Sequence, residues 1–357
     1  MFDDILLSFN LIAQENHIEK FGEGLINRTW KITDPEKNNE FILQQINKNV
    51  FKNPLHIAEN INKIDQYLSA RYPDYLFVSS LPAANGDYMV KHTDGEYYRL
   101  LPYVKRSITL NTVQTRHESF EAARQFAKFT NLLAGFDVTE LNYTLAGFHD
   151  LSARFEEFKR VVKKASPERL NQANGAIENA FRHQDIAETH QAIMNDNLIP
   201  LRVVHHDTKI SNILFDENHK GLCVIDLDTV MPGYFISDVG DMMRTYLSPA
   251  NEEEQDFSKI SIREDFFAAI VEGYLSEMNA NLTENERELF VYSGKLMIYM
   301  QAIRFLTDYL NNDIYYGTSY PGHNLVRAQN QFVLLDQYLA VEDKFLQVVF
   351  NAQKQPK

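Results

Sequence analysis

The segment of residues 201–228 constrains the fold of this chain more than any other part of its sequence. It begins with a short apolar strand that runs directly into the polar loop His-His-Asp-Thr-Lys-Ile-Ser-Asn of residues 205–212. Two further apolar runs, separated by a polar turn that contains a glycine, follow the loop and predict a β-hairpin. The second run ends at Asp226, nineteen positions after Asp207. That spacing is just enough for one loop and one hairpin.

The polar loop has the pattern H-x-D-x-x-x-x-N, which is typical of the catalytic loop of kinases. Phosphoryl transfer needs one carboxylate beside the attacking hydroxyl, and a second carboxylate and an amide oxygen to hold Mg²⁺. Asp207 fits the first role, while Asn212 and Asp226 fit the second. We interpret His205 as a brace for the loop rather than as a proton carrier. The segment therefore predicts a phosphotransferase with Asp207 as its catalytic base.

A zinc site built from His205, His206 and Asp207 is the alternative interpretation of the same loop, and the sequence disfavours it. Adjacent residues of a strand or loop point to opposite sides, and the sequence contains no H-x-x-x-H helix. Cys223 is the only cysteine, so a cysteine-based metal cluster and a disulfide within this chain are both excluded.

The charge of the chain bears on its partners and its location. The formal net charge is −14, from 49 acidic and 35 basic residues, and such a surface repels nucleic-acid backbones and anionic lipids. The first residues are acidic and apolar and no long apolar run follows, so the sequence predicts neither a secretory signal nor a membrane span. We expect a cytoplasmic protein that binds a nucleotide and a small molecule. Its oligomeric state is open at this point.

The pattern of apolar residues predicts an α+β fold with two lobes. In the first part of the chain, short apolar runs alternate with turns, and one helix with an apolar stripe follows Pro54. From about residue 110 onwards apolar residues recur mostly at helical spacing. We expect a small β-rich lobe over residues 1–104 and a larger, mainly helical lobe over 105–357. The strands expected in the first lobe are 29–33, 41–43, 75–78, 88–90 and 97–101.

The polar loop and the run of residues 225–233 resemble the aminoglycoside phosphotransferase and choline kinase superfamily. Within it, segments 304–310 and 321–325 resemble the N-acetylhexosamine 1-kinases, and residues 22–27 look like that family's nucleotide loop. The resemblance implies a bilobal fold like that of the protein kinases, with ATP as phosphate donor and Mg²⁺ as cofactor. It also implies phosphorylation of the anomeric hydroxyl of N-acetylglucosamine or N-acetylgalactosamine.

The resemblance also implies roles for individual residues. Asp207 would be the base and touch the substrate, Asn212 and Asp226 would hold the metal, and Arg304 would lie near the reacting end of the sugar. Asp228 would contact the sugar or the metal, or cap a turn, and the alternative for Arg304 is a salt bridge with a nearby acid. We interpret two further acids as mainly structural, and four residues as nucleotide ligands. The two acids are Asp238 and Asp241, and the four ligands are Gly22, Gly24, Asn27 and the hinge residue Tyr103.

Two positions depart from the superfamily pattern. His206 stands where glycine is most common, so its side chain is expected to point away from the phosphates. The third strand of a kinase lobe usually offers a Lys to the nucleotide phosphates, and this chain has Gln44 in that strand. Either another cation, with Lys31 and Lys48 as candidates, replaces that lysine, or Mg²⁺ and loop amides suffice.

Two alternative functions stay open on the sequence. One is a related kinase that acts on choline, homoserine, an aminoglycoside or a methylthio-sugar, since the catalytic motifs are shared. A kinase for a cationic acceptor, such as choline or an aminoglycoside, is expected to line its acceptor site with acids. The other alternative is a nucleotide-binding module without catalysis, which the missing lysine suggests and the retained carboxylates oppose.

Overall fold

The computed structural model describes residues 2–22 and 26–354 of the chain. The first part forms a five-stranded antiparallel sheet in the order β1-β2-β3-β5-β4. Its strands are β1 (His17–Lys20), β2 (Arg28–Asp34), β3 (Asn39–Ile46), β4 (Val90–Lys91) and β5 (Tyr97–Pro102). The β2–β3 turn forms because the carboxylate of Asp34 accepts the backbone N–H groups of Glu36 and Lys37.

One face of this sheet builds a small apolar core, and the other face carries polar side chains. Successive residues of a strand point to opposite faces, so Leu43 and Leu100 are buried in the small core while Gln44 and Arg99 point the other way. Helix α1 (Asp3–Leu7) covers the apolar face with Ile5 and Leu6. The polar face therefore meets the rest of the protein.

Helix α2 (Pro54–Arg71) has the predicted apolar stripe, and its four residues Ile57, Ile61, Ile64 and Leu68 are all buried. The stripe packs into the large core of the helical lobe rather than into the small core of the sheet. Asn60 fixes the helix there, because its Nδ2 donates hydrogen bonds to the backbone oxygens of Asn142 at 2.8 Å and Val230 at 3.1 Å. The division of the chain at residues 104/105 stays a prediction.

The remainder of the chain is mainly helical, as predicted, and the long helix α11 lies at its centre. Eighteen of its 21 residues are buried, and it packs against α4, α8 and α12. No helix among the described residues combines the length and the hydropathy that a membrane crossing needs. The helices are α3 (Arg116–Leu132), α4 (Leu151–Val162), α5 (Pro167–Gln172), α6 (Asn174–Arg182), α7 (Asp185–Asn195), α8 (Phe235–Tyr246), α9 (Glu264–Met278), α10 (Glu284–Glu288), α11 (Phe290–Leu310), α12 (His323–Ala340) and α13 (Glu342–Gln353).

Four short strands interrupt the helices around the polar loop. Strand β6 (Arg202–Val204) pairs with β9 (Met231–Gly233), and β7 (Ile213–Phe215) forms the predicted hairpin with β8 (Gly221–Val224). The predicted α+β fold with a β-sheet lobe and a helical lobe is thus confirmed. The strand expected at 75–78 is wrong, since these residues form no regular structure. Phe77 stacks on Phe129 of α3 instead, so packing rather than strand pairing accounts for the apolar alternation there.

Candidate active site

The polar loop after β6 presents Asp207 with its side chain 25% exposed. Oδ2 of Asp207 accepts a hydrogen bond from Nδ2 of Asn212 at 2.9 Å and lies 3.2 Å from Nζ of Lys209. The same Nδ2 also donates to the backbone oxygen of Asp207. Because the amide nitrogen of Asn212 is committed to Asp207, its Oδ1 is the atom left for a cation.

The loop is held by two buried acids on helix α8. Asp238 accepts the backbone N–H groups of His205 at 2.8 Å and His206 at 2.7 Å. Asp241 accepts the N–H of Thr208 at 2.9 Å. These contacts fit the prediction that Asp238 and Asp241 are mainly structural. The two carboxylates bind backbone amides of the polar loop, however, and not amides of their own helix. Sequence reasoning missed this arrangement, since nothing in the sequence pairs α8 with the loop.

His205 braces the loop through both nitrogens of its ring. Nε2 donates to the backbone oxygen of Ile225 at 2.9 Å, and Nδ1 accepts the N–H of Asp207 at 3.3 Å. The ring also packs edge-on against Phe126. With both nitrogens engaged by backbone groups, His205 ties the catalytic loop to the end of β8 and is not placed to move a proton.

His206 occupies a backbone conformation that usually favours glycine, with φ +65°. Its ring turns away from the carboxylate of Asp207, packs against Gly233 and donates from Nδ1 to the backbone oxygen of Thr229 at 3.1 Å. A side chain at Gly233 would overlap this ring. Burial lowers the pKa of the His206 imidazole to about 4, and the charge of His205 acts in the same direction.

The lowered pKa of His206 predicts a loss of stability in mild acid. The unfolded chain takes up the proton near the ordinary value of 6.5, the folded chain only near 4, so stability falls as pH drops between these values. His206 should contribute about 2 kcal/mol of destabilisation between pH 7.5 and 5.0. Asn tolerates positive φ, so His206→Asn should fold and should lack this pH-dependent loss of about 2 kcal/mol. Urea unfolding at pH 7.5 and at pH 5.0 would measure the difference. Equal pH dependence of the variant, the wild type and the exposed-site control His117→Gln would contradict the assignment.

Asp226 follows β8 in the left-handed region, with φ 61° and ψ 57°. A non-glycine residue held there indicates backbone strain of the kind that collects at functional sites. Solvent reaches part of the Asp226 side chain, but the surrounding protein desolvates the carboxylate, and this desolvation and the charges of Asp228 and Asp207 raise its pKa. The cations of Arg99 and Lys209 oppose this rise. A carboxylate in such anionic surroundings is suited to a divalent cation.

The carboxylate of Asp228 connects the two lobes. It is buried, Oδ1 lies 2.5 Å from Nη2 of Arg99, and Oδ2 accepts a hydrogen bond from Nδ2 of Asn27 at 2.6 Å. Oδ1 of Asn27 in turn accepts the N–H of Asn47 at 3.0 Å. Asp228 therefore holds the end of the nucleotide loop and a cation of the sheet, and its contact with the sugar stays a prediction.

Gly22 and Tyr103, two other predicted nucleotide ligands, lie just beyond the ends of strands β1 and β5. Gly22 has φ +72°, and a Cβ there would meet no atom within 4 Å, so conformation rather than space favours glycine. Gly24 lies outside the described residues. The N–H of Tyr103 donates to the backbone oxygen of Glu40 at 3.1 Å, and its ring lies edge-on to Phe21. Its N–H is thus engaged by the protein, and the role of Tyr103 in nucleotide binding stays a prediction.

Both candidate lysines are engaged by carboxylates of the first lobe. Nζ of Lys31 pairs with Glu40 at 2.5 Å near the hinge, and Nζ of Lys48 pairs with Glu96 at 2.7 Å on the surface. Arg99 of β5, which the sequence reasoning missed, is 2% exposed and stands directly opposite Gln44 in the β3–β5 register. The strand Tyr-Tyr-Arg-Leu-Leu offered a signal, since it contains one charge among apolar residues.

Arg304 of α11 lies among aromatic side chains. Its guanidinium carbon is 5.3 Å from the ring centre of Phe148 and 5.6 Å from that of Tyr316, and Nη1 donates to Gln301 at 3.2 Å. No carboxylate among the described residues forms an ion pair with Arg304, so its alternative as a salt-bridge residue finds no partner there. The charge of Arg304 is therefore left for a bound molecule.

His149 joins this cluster to the catalytic loop. Its ring stacks on Phe148 with centres 4.4 Å apart and lies 5.4 Å from the ring of His206. Burial lowers the pKa of His149 well below its usual range, and the charges of Arg304 and Arg244 add to this. Nδ1 of His149 is buried and has no partner in the described part of the chain. This side of the site is thus aromatic, and Arg304 is a cation there without a carboxylate partner among the described residues.

Comparison with known proteins places this geometry in a family. Residues 17–277 match the phosphotransferase enzyme family. An aminoglycoside phosphotransferase from Alicyclobacillus acidocaldarius is 14% identical, covering 97% of this chain and 95% of that one, with a TM-score of 0.66. A microcompartment-associated aminopropanol kinase is 14% identical over 95% of this chain and 97% of its own, with a TM-score of 0.60. A spectinomycin phosphotransferase, solved with ADP and spectinomycin, is 10% identical over 99% of this chain and 98% of its own, with a TM-score of 0.58.

Proposed function

The chain belongs to the phosphotransferase enzyme family, and on this premise we propose that it transfers the γ-phosphoryl group of ATP to the anomeric hydroxyl of an N-acetylhexosamine. The product is the sugar 1-phosphate, and Mg²⁺ is the cofactor. The observation that carries the choice of acceptor is the unpaired Arg304 between two aromatic rings, beside a neutral His149. The resemblance of segments 304–310 and 321–325 to N-acetylhexosamine 1-kinases supports the same choice.

The catalytic step follows from the contacts of Asp207. Its carboxylate accepts the proton of the acceptor hydroxyl while the acceptor oxygen bonds to the γ-phosphorus and the bond to the β–γ bridging oxygen breaks, which releases ADP. The hydrogen bond from Asn212 fixes the carboxylate, and Lys209 places a cation beside the position where negative charge is transferred. Catalysis of this kind consists mainly of positioning and charge neutralisation.

The donors present fit a magnesium ion. When bound, Mg²⁺ supplies charge neutralisation at the phosphate oxygens, and the carboxylate of Asp226 and Oδ1 of Asn212 are the groups that would hold it. Among the described residues, no three His, Cys, Asp or Glu side chains converge on a point where they could hold a metal by themselves. A site with one carboxylate and one amide oxygen suits Mg²⁺, because this ion usually takes its other ligands from phosphates and water.

The charge of the acceptor side separates a sugar from a cationic acceptor. Choline and aminoglycosides carry positive charge and would be repelled by Arg304, which has no carboxylate partner among the described residues and whose charge helps to lower the pKa of His149. The rings of Phe148 and Tyr316 offer faces on which a pyranose ring can pack. Nδ1 of His149 remains available for a hydrogen bond with a sugar hydroxyl. These features support an uncharged, hydroxyl-rich acceptor.

The reaction is tested by coupled ADP release with Mg-ATP and N-acetylglucosamine or N-acetylgalactosamine, with the phosphate position read by ³¹P NMR. We expect a 1-phosphate product. The matched control is the methyl glycoside of the same sugar, in which the anomeric hydroxyl is blocked, and it should give no turnover. Turnover of the glycoside would contradict anomeric phosphorylation. Turnover of choline, ethanolamine or spectinomycin without turnover of a hexosamine would replace the acceptor and leave the phosphotransferase assignment standing.

Arg304→Gln is expected to impair use of the acceptor while sparing the nucleotide. A hydrogen bond to a charged group contributes about 1.5–3 kcal/mol, so kcat/KM for the hexosamine should fall roughly 10- to 100-fold. The KM for ATP should stay within about twofold, because this arginine lies on the acceptor side. Steady-state kinetics with each substrate varied would measure both, with the exposed Arg160→Gln as control. An equal loss for ATP and sugar would contradict the placement.

A further inference from the structure

Arg99 is a buried cation whose guanidinium is incompletely satisfied by the protein. Its Nε and Nη2 donate to the single oxygen Oε1 of Gln44 at 2.9 and 2.7 Å, and Nη2 also contacts Asp228. Nη1 has no hydrogen-bond partner in the described part of the chain. A buried donor without a partner is costly to folding. Such a group is expected to have a ligand that the protein alone does not supply.

The position of Arg99 indicates what that ligand is. The β3–β5 register places Arg99 opposite Gln44, the position in the third strand where a lysine for the nucleotide phosphates is missing. Its Nη2 also lies 2.5 Å from Oδ1 of Asp228, two residues after the proposed metal ligand Asp226. Arg99 thus lies at the meeting point of the sheet, the nucleotide loop and the catalytic carboxylates.

We propose that Arg99 binds a phosphate group of the nucleotide through Nη1 and so replaces, from strand β5, the lysine that is missing from β3. A guanidinium presents several donors in a fixed plane and is suited to phosphate oxygens. Gln44 and Asp228 hold that plane from one side, and Asn27 joins the nucleotide loop to the same carboxylate. This inference rests on the proposed use of ATP, but not on the identity of the acceptor.

The test compares nucleotide binding in variants that lack the charge of Asp228, because removing Arg99 alone would leave a buried carboxylate unpaired. Calorimetry should give the Kd of ATP and of adenosine, in EDTA, for Asp228→Asn and for the double variant Arg99→Gln/Asp228→Asn. We expect ATP to bind the double variant roughly 10- to 100-fold more weakly than Asp228→Asn, as loss of a charge-assisted hydrogen bond implies. Adenosine, which lacks phosphate, should bind both equally.

A relocation variant provides the second measurement. Gln44→Lys/Arg99→Gln keeps one cation beside Asp228 and moves it to the strand where other kinases have it. Its ATP affinity should exceed that of the double variant Arg99→Gln/Asp228→Asn, which has no unpaired buried carboxylate either, by at least about tenfold, with urea midpoints used to compare folding. Equal Kd values for ATP in Asp228→Asn and Arg99→Gln/Asp228→Asn would overturn the inference. So would an equally large loss of adenosine affinity in the double variant, or an ATP affinity that does not recover in the relocation variant. Failure of the proposed acceptor would instead appear as absent hexosamine turnover with these ATP affinities unchanged.

Discussion

Replacing Asp207 by Asn is expected to lower kcat by roughly 10²- to 10⁴-fold, the range that a positioned proton acceptor contributes. An amide has nearly the same shape, and its oxygen can still accept the hydrogen bond from Asn212. It cannot take a proton from the acceptor hydroxyl, and it loses the ion pair with Lys209. The loss should therefore fall on the chemical step, with the Kd of ATP within about threefold of the wild-type value.

Steady-state kinetics and calorimetry on the same preparation would separate these effects. Asp74→Asn is the matched control, since Asp74 is exposed and lies outside the candidate site. Urea unfolding of the three proteins would show whether the loop remains folded. Full activity of Asp207→Asn would rule out this residue as the base. An unchanged kcat with weaker ATP binding would move it to the nucleotide side.

The central part of the candidate site could be predicted because its residues are close in sequence. The strand, the polar loop and the hairpin lie within one segment, so apolar runs and turn residues are enough to bring Asp207, Asn212 and Asp226 together. The interpretation of His205 as a brace is confirmed by its two bonds to backbone groups. The two-lobed architecture was predictable for a similar reason, since strand and helix periodicities occupy separate parts of the chain.

The rest depends on contacts between distant residues, which periodicity does not specify. Asn27 and Asp228 are hydrogen-bonded across 201 positions, and Asp238 accepts an amide that precedes it by 33. The sequence showed acids in a helix and suggested capping, but the tertiary arrangement directs them to the loop. Arg99 was missed because the β3–β5 register, rather than strand composition, places it opposite Gln44. Proximity in sequence to β3 instead indicates Lys31 and Lys48 as substitute cations.

The acceptor side of the site also depends on contacts between distant residues, and these contacts bear on the choice of acceptor. Arg304, Phe148 and Tyr316 come from a helix and two loops, and only the fold brings them together. The sequence left open whether Arg304 pairs with an acid, and net charge could not decide it. A total of −14 is compatible with an unpaired cation in the site, because fields at short range depend on the nearest groups. The choice between a sugar and a cationic acceptor thus depends on tertiary structure.

Asp226→Asn is expected to remove the response to magnesium and, with it, nearly all activity. The carboxylate is the proposed charged ligand of the ion, so kcat should fall by at least roughly 10³-fold, as expected when charge neutralisation is lost in phosphoryl transfer. The same change removes one of three neighbouring negative charges, whose repulsion raises the pKa of Asp226 in the folded protein. In EDTA, the variant should therefore unfold at a Tm equal to or higher than that of the wild type.

This pairing of lost function with retained stability distinguishes a metal ligand from a structural acid. Mg-ADP should raise the Tm of the wild type by several degrees more than ADP in EDTA does, and this increment should vanish in Asp226→Asn, because a ligand stabilises only the state that binds it. Asp207→Asn should keep the increment, since its carboxylate is assigned to the proton. A magnesium increment that survives in Asp226→Asn would show that other groups hold the ion. A lower Tm of Asp226→Asn in EDTA would show that the carboxylate stabilises the fold itself.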